Sequence, residues 1–285
     1  MDIIKKAILF GAKAIVEVLD TKELVQSAID THNFSDPVAM AMGEALTVTA
    51  FISGNFKSDD NKLTVIINGG GPIGQMTTCG DYGAKVRCYC ENPQAMQGEK
   101  IDKINEVVGA NGKLCVIKDF GLKEPYNGLS ELVNGNIDSD FAYYFTVSEQ
   151  LPSAISLQTI VQDGKCLASG GIVIQPMPNC EEEYLVVLQD IARNFTHIAT
   201  LLQSQSAEEI INYYFGHFEN KILDDTIPEY KCNCSTEKIE KMIIALGENE
   251  AKKILEEEGE LSVDCQFCNA KYKFGKKELD KLFNE

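Results

Sequence analysis

Basic residues are scarce in this chain. Its 285 residues carry 26 Lys and Arg against 43 Asp and Glu, a formal net charge of −17. A protein that grips a nucleic-acid backbone needs a basic face, so this balance argues against a DNA or RNA partner. Long apolar runs are missing too. None reaches the roughly 18 residues of a membrane span, and no membrane partner is expected. The opening Ile3-Ile4-Lys5-Lys6-Ala7-Ile8-Leu9-Phe10 is too short for a signal peptide, is followed by Lys13 and Glu17, and has no convincing cleavage site. The three histidines, His32, His197 and His217, lie far apart with no nucleophile motif nearby, so each is expected at the surface or satisfied inside, and no catalytic residue is assigned. A Walker lysine is absent. Gly69-Gly70-Gly71-Pro72-Ile73-Gly74 fits G-x-G-x-x-G, yet Pro72 and the strand-like Gln75–Cys79 stand where phosphate binding requires a helix; a glycine turn is the expectation.

Cysteine, by contrast, is plentiful at ten residues. With no export signal these are thiols of a reducing cytosol, which points to a cytoplasmic protein. Cys232-Asn233-Cys234, thirty residues, then Cys265-Gln266-Phe267-Cys268 form two close pairs around a helical insert. That is the donor set of a tetrahedral four-thiolate site for one zinc ion: each turn supplies two sulfurs and the metal ties the turns together. Thiolates are also what oxidants attack. Disulfides between neighbours would expel the metal and close almost no loop, whereas cross-pairing would keep the two turns tied. Cys88-Tyr89-Cys90, Cys79, Cys115, Cys166 and Cys180 have no partner pair and are read as structural.

The expected fold is α+β: a large domain (1–178) with a mainly antiparallel sheet plus helices, a helical linker (179–230) and a small four-cysteine zinc domain (231–285). Two apolar runs around Gly11 predict a hairpin; Thr21–His32 and Ser35–Ser53 predict helices, the second capped by Ser35 with Pro37 in its first turn. Strands are expected at Leu63–Ile67, Gln75–Cys79, Lys85–Tyr89, Lys113–Lys118, Gly128–Val133, Ala154–Gln162 and Cys166–Gln175. Helices are expected at Lys100–Val108 and Asp138–Glu149. In the linker, Tyr184, Leu188, Ile191, Phe195, Ile198 and Leu202 recur at helical spacing through Gln203, an apolar stripe that must lie on something. Ser206-Ala207-Glu208-Glu209 is a capping box opening a second helix. Beyond Lys231, Ile239 to Leu246 and Ala251 to Leu255 mark two helices, and Leu261–Asp264 with Lys271–Phe274 place the C-x-x-C at a hairpin tip. So few large apolar residues cannot build a core unaided. Structural zinc contributes on the order of 10–16 kcal/mol, so the module should unfold without it.

The whole chain resembles the bacterial redox-regulated chaperone family known as heat-shock protein 33. The tail matches the family's C-x-C, spacer and C-x-x-C at Cys232, Cys234, Cys265 and Cys268. Gly69–Gly74 and Asn92-Pro93 resemble its glycine turn and N-P step, and Gly112-Lys113-Leu114 through Lys118-Asp119-Phe120-Gly121 its G-x-L-x-V-x-K-D-x-G segment. Tyr143–Gln150, Pro152-Ser153 and Gly170-Gly171 through Pro176-Met177-Pro178 complete the pattern. The resemblance implies an ATP-independent holdase, inactive when reduced and zinc-bound. Oxidation with heat would form the Cys232–Cys234 and Cys265–Cys268 disulfides, release zinc, loosen the linker and expose apolar surface to unfolded client proteins, usually in a homodimer. The six extra cysteines depart from the family pattern. Two other readings stand beside it: a thiol-disulfide oxidoreductase using Cys265 and Cys268, and a static zinc-containing binding module.

Overall fold

Ile3–Leu9 (β1) runs out along one edge of a sheet and Ala14–Asp20 (β2) runs back, the turn taking Phe10, Gly11 and Ala12 through positive φ. They open a computed structural model that describes residues 1–284 and divides into two units, Met1–Lys231 and the segment from Cys232 onward. The first unit continues with α1 (Lys22–His32), α2 (Asp36–Gly54), β3 (Lys62–Asn68), β4 (Met76–Asp81), β5 (Lys85–Cys90) and the one-turn α3 (Asn105–Val108). Next come β6 (Lys113–Asp119), β7 (Tyr126–Glu131), α4 (Ile137–Ser148), β8 (Ala154–Gln162) and β9 (Lys165–Pro176). It closes with α5 (Glu182–Ala192), a 3-10 turn (Arg193–Phe195), α6 (Ile198–Leu202), α7 (Ala207–Phe215), β10 (Asn220–Ile222) and β11 (Glu229–Tyr230).

Two sheets result, in the orders β10-β1-β2-β9-β8 and β11-β5-β4-β3-β6-β7. Every pairing is antiparallel except β11 on β5. The fold is α+β, as the mixture of strands and helices predicts. Helix α2 packs on both sheets, which is why Val38, Met42, Leu46 and Val48 are buried along with Ala39, Ala41 and Ala45 on its other sides. Its capping serine behaves as expected, with Ser35 Oγ accepting the Val38 N–H. Among the described residues α2 is the one helix long and apolar enough to cross a bilayer, yet 89% of that window is buried inside the protein. Its buried hydroxyls stay satisfied by bonding back along the helix, Thr47 to Gly43 O and Thr49 to Ala45 O.

The opposite face of the five-stranded sheet is covered by residues 182–218. Leu188, Phe195 and Ile198 are buried against Leu9, Val16, Val18, Ile172 and Ile174, with Tyr184, Ile191 and Leu202 packed around them. The expected single helix through Gln203 is interrupted. Asn194 Nδ2 donates to the Asp190 and Ile191 carbonyls and Ser156 Oγ donates to Phe195 O, so side chains take up carbonyls that a continuous helix would use. The capping box at Ser206 and Glu209 forms in full.

Three further expectations need correction. Residues 100–104 are not helical: Glu106 Oε1 accepts the Asp102 and Lys103 N–H groups, a side-chain-closed turn that leaves only Asn105–Val108 as helix. The strand expected at Gly128–Val133 begins and ends two residues earlier, where β6 pairs Lys118 with Tyr126 and Lys113 with Glu131. The linker expected to be helical over 179–230 ends instead in two short strands, β10 and β11, which lack any local signal and exist through pairing with β1 and β5.

The second unit contains α8 (Thr236–Leu246), α9 (Glu248–Glu258), β12 (Leu261–Asp264), β13 (Lys271–Phe274) and α10 (Lys276–Asn284), the last not anticipated. Its core is small: Ile239, Ile243, Ala251, Leu261, Phe274 and Leu279.

Candidate metal centre

Two local structures aim the four cysteines. Strands β12 and β13 pair from Leu261 with Phe274 to Asp264 with Lys271, so residues 265–270 form the hairpin tip. There Cys265 N–H donates to Ala270 O at 2.9 Å and Asn269 N–H to Cys265 O at 2.8 Å, with Asn269 at φ 56°. Asparagine tolerates that left-handed conformation better than most residues. Cys232 and Cys234 lie on the extended segment just before α8, whose start is fixed by Ser235 Oγ accepting the Lys238 N–H.

The four sulfurs lie within 4.8 Å of one another. Cys232 Sγ is 3.7 Å from Cys265 Sγ, and Cys234 Sγ is 3.4 Å from Cys268 Sγ. Both contacts join one cysteine of each pair, so the strands' turn and the pre-helix segment meet at the sulfurs. A tetrahedron with zinc–sulfur arms of ~2.3 Å has edges of ~3.8 Å, so the spacing suits such an ion. All ten cysteines are free thiols.

The electrostatics agree with a cation site. Burial raises the Cys232 and Cys268 thiols above the ordinary range. Burial also opposes ionisation of Cys234, but the Tyr272 hydroxyl, which donates to its Sγ at 3.0 Å, and the neighbouring thiols outweigh it and bring Cys234 down to about 7. One thiolate is thus favoured among four crowded sulfurs, and a cation held between them would favour ionisation of the others. Tyr272, two strand positions beyond the hairpin turn, carried no sequence signal for this role.

The remaining cysteines do not join the cluster. Cys79, Cys88 and Cys166 are buried and Cys90, Cys115 and Cys180 half-buried, all in the first unit. Burial holds Cys90 and Cys166 at about 12 and raises Cys79, Cys88 and Cys180 as well, so they are packed thiols rather than thiolates. Residues 69–74 form a loop between β3 and β4 in which Gly71 N–H and Ile73 N–H donate to Val108 O and Val107 O. Those amides are spent on backbone, as a structural turn requires. Among the described residues no other group of three or more His, Cys, Asp or Glu side chains comes as close as the four cysteines.

The sequence model of the family described as Hsp33 protein matches residues 2–275. The chain belongs to the Hsp33 family. Relatives named 33 kDa chaperonin include that of Clostridioides difficile (strain 630), 38% identical over 94% of both chains. Another, from Thermoanaerobacter sp. (strain X514), is 37% identical over 99% of this chain and 97% of the relative. A solved Hsp33 structure, the 33 kDa chaperonin (heat shock protein 33 homolog) of Thermotoga maritima, superposes with a TM-score of 0.87 at 28% identity, over 99% of this chain and 97% of that one. The Hsp33 fold therefore extends through the two sheets, the covering helices and the four-cysteine unit.

Proposed function

We propose that this Hsp33 protein is an ATP-independent holdase switched by oxidation, with Cys232, Cys234, Cys265 and Cys268 as ligands of one zinc ion in the reduced, inactive state. The observation that carries the reading is the meeting of four sulfurs in a unit whose apolar core has six buried side chains. When bound, zinc supplies the charge that keeps four thiolates together and the tie that a small core lacks. Peroxide oxidises two thiols to a disulfide, each pair yielding one S–S bond and two waters; sulfurs bonded to each other no longer ligate a cation. Pairing of Cys232 with Cys234 and of Cys265 with Cys268 leaves residues 232–234 untied from 265–268, and the unit loses its organising constraint. Pairing across the 3.7 and 3.4 Å contacts would keep the tie. Peptide mapping without reductant separates the two.

The functional parts are 1–178, the covering segment 179–230, and 231–285. The covering segment is the releasable layer: Tyr184, Leu188, Ile191, Phe195, Ile198 and Leu202 hold it to the sheet, and its departure uncovers apolar surface for unfolded clients. The active form is a homodimer in the cytoplasm. No catalytic residue is needed. Cys265 and Cys268 sit in a hairpin turn, without the helix N-terminus that lowers a catalytic thiol's pKa, which disfavours an oxidoreductase. A static zinc module predicts metal that stays bound under oxidant.

The test is peroxide at raised temperature, following zinc with a chromogenic chelator and an aggregating client by light scattering. Metal release together with suppressed aggregation is expected. Release without suppression ends the chaperone reading, and retention of metal favours the static module.

A further inference from the structure

Lys5 is the one basic residue on an apolar strand face whose β2 strand ends in Asp20. It stands on β1 opposite Val18, and strand alternation puts it on the same side as Ala7 and Leu9. Val16, Val18, Ile172 and Ile174 continue that surface beneath residues 182–218. The Lys5 side chain is only 10% exposed, with its ammonium 3.0 Å from Glu208 and 2.5 Å from Asp225. Both carboxylates belong to residues 179–230: Glu208 is in the first turn of α7, and Asp225 lies where the chain continues β10 along β1, between Leu223, whose N–H donates to Lys6 O, and Thr226, whose N–H donates to Ile4 O. That segment thus brings its own acids to the lysine it buries.

We infer that this face, once uncovered, takes extended apolar client segments that carry an acidic side chain, and that Lys5 makes the selection. The inference rests on the holdase reading. A neutral apolar segment laid over these strands buries an ammonium without a counter-charge, a desolvation penalty that works against the apolar contact. A segment with Glu or Asp over Lys5 repeats what Glu208 and Asp225 do in the closed protein. Selection therefore comes from rejecting the neutral competitor as much as from attracting the acidic one. The net charge of −17 does not cancel this. Its long-range repulsion is screened beyond ~8 Å at physiological salt, whereas the ion pair forms at contact.

The experiment uses full-length protein activated by peroxide at raised temperature. Two fluorescent apolar decapeptides, identical but for a central Glu or Gln, are titrated against the parent, Lys5→Met and Lys5→Arg. A hydrogen-bonded charge pair adds to the apolar contact that both peptides share, so the parent should bind the Glu peptide roughly tenfold or more tightly than the Gln peptide. Lys5→Arg should keep the preference and Lys5→Met should lose it. Equal binding of both peptides by the parent, or a preference that survives in Lys5→Met, overturns the inference and leaves the holdase reading standing. Failure of the activated, metal-released parent to bind either peptide overturns both.

Discussion

The Tyr230 hydroxyl and His32 Nε2 stand 2.8 Å apart, joining the residue two before Cys232 to the last turn of α1. Strand β11 is only two residues long, held by Glu229 N–H on Ala84 O and Lys231 N–H on Val86 O at 3.1 and 2.8 Å. The side-chain bond, with His32 stacked on Phe34, anchors an end that two backbone bonds alone would hold weakly.

Tyr230→Phe should loosen β11 without unfolding the first unit. A hydrogen bond is worth ~0.5–1.5 kcal/mol net, so the Lys231 amide should exchange roughly 2- to 12-fold faster with little change in Tm. Hydrogen exchange by mass spectrometry reads this directly. Unchanged exchange at Lys231 would mean the hydroxyl contributes nothing to the anchor.

Phe195→Ala tests whether the covering layer detaches on its own. Phe195 is fully buried, between the sheet and Tyr214 and Phe215. Such a truncation costs about 3–5 kcal/mol. Limited proteolysis of reduced, metal-loaded variant should show early cleavage within 182–203 while the remainder of the first unit stays resistant. Simultaneous loss of the whole unit would show that the layer and the sheet unfold as one.

Protonation of Asp2 should stabilise the first unit. Its carboxylate accepts the Glu23 and Leu24 N–H groups at the start of α1, but burial, with Asp20 and Glu23 nearby, raises its pKa to about 6. The folded state then binds the proton more tightly than the unfolded state. The contribution is fully present below ~4 and lost as pH rises through about 6. Burial raises Glu17 and Glu44 in the same sense. Comparing Tm of the parent and Asp2→Asn from pH 7 to pH 5, the parent should gain on the variant by on the order of 1–2 kcal/mol, allowing for partial screening. A constant difference would place the Asp2 pKa at its ordinary value.

Gly109→Ala should be severely destabilising although it touches no cysteine. Gly109 has φ +78°, and a Cβ there would meet Gly69 O at 2.3 Å. Left-handed strain and a backbone clash together should cost more than ~2 kcal/mol, visible as a lower thermal or urea midpoint of the first unit. Metal affinity of the second unit should be unchanged. A neutral result would mean that residues 69–74 do not need this close approach.

Much of the local structure was legible. The hairpin around Gly11, the helix behind Ser35, the capping box at Ser206 and the strands flanking Cys265–Cys268 all follow from caps, turns and periodicity within a few residues of chain. Where local signals were weak or outvoted, expectation and structure part. The stripe through Gln203 is periodic, but Asn194 and Ser156 break the helix beneath it. Glu106 closes a turn where helical spacing pointed to a helix. Three-residue β10 and two-residue β11 are specified by partners more than 130 residues away.

By itself, the order of residues established which side chains could do chemistry: two cysteine pairs at ligand spacing, an apolar stripe, and an acidic overall balance. Helix caps, turn residues and side-chain alternation act over one or two turns of chain, and so they can be read in one dimension. Only the packed molecule decided that four sulfurs from opposite ends of a helical insert converge, that Tyr272 leans on Cys234, and that Lys5 meets Glu208 and Asp225 across some two hundred residues. Those meetings depend on the summed burial and pairing of whole sheets and helices, and no single stretch of sequence carries that sum.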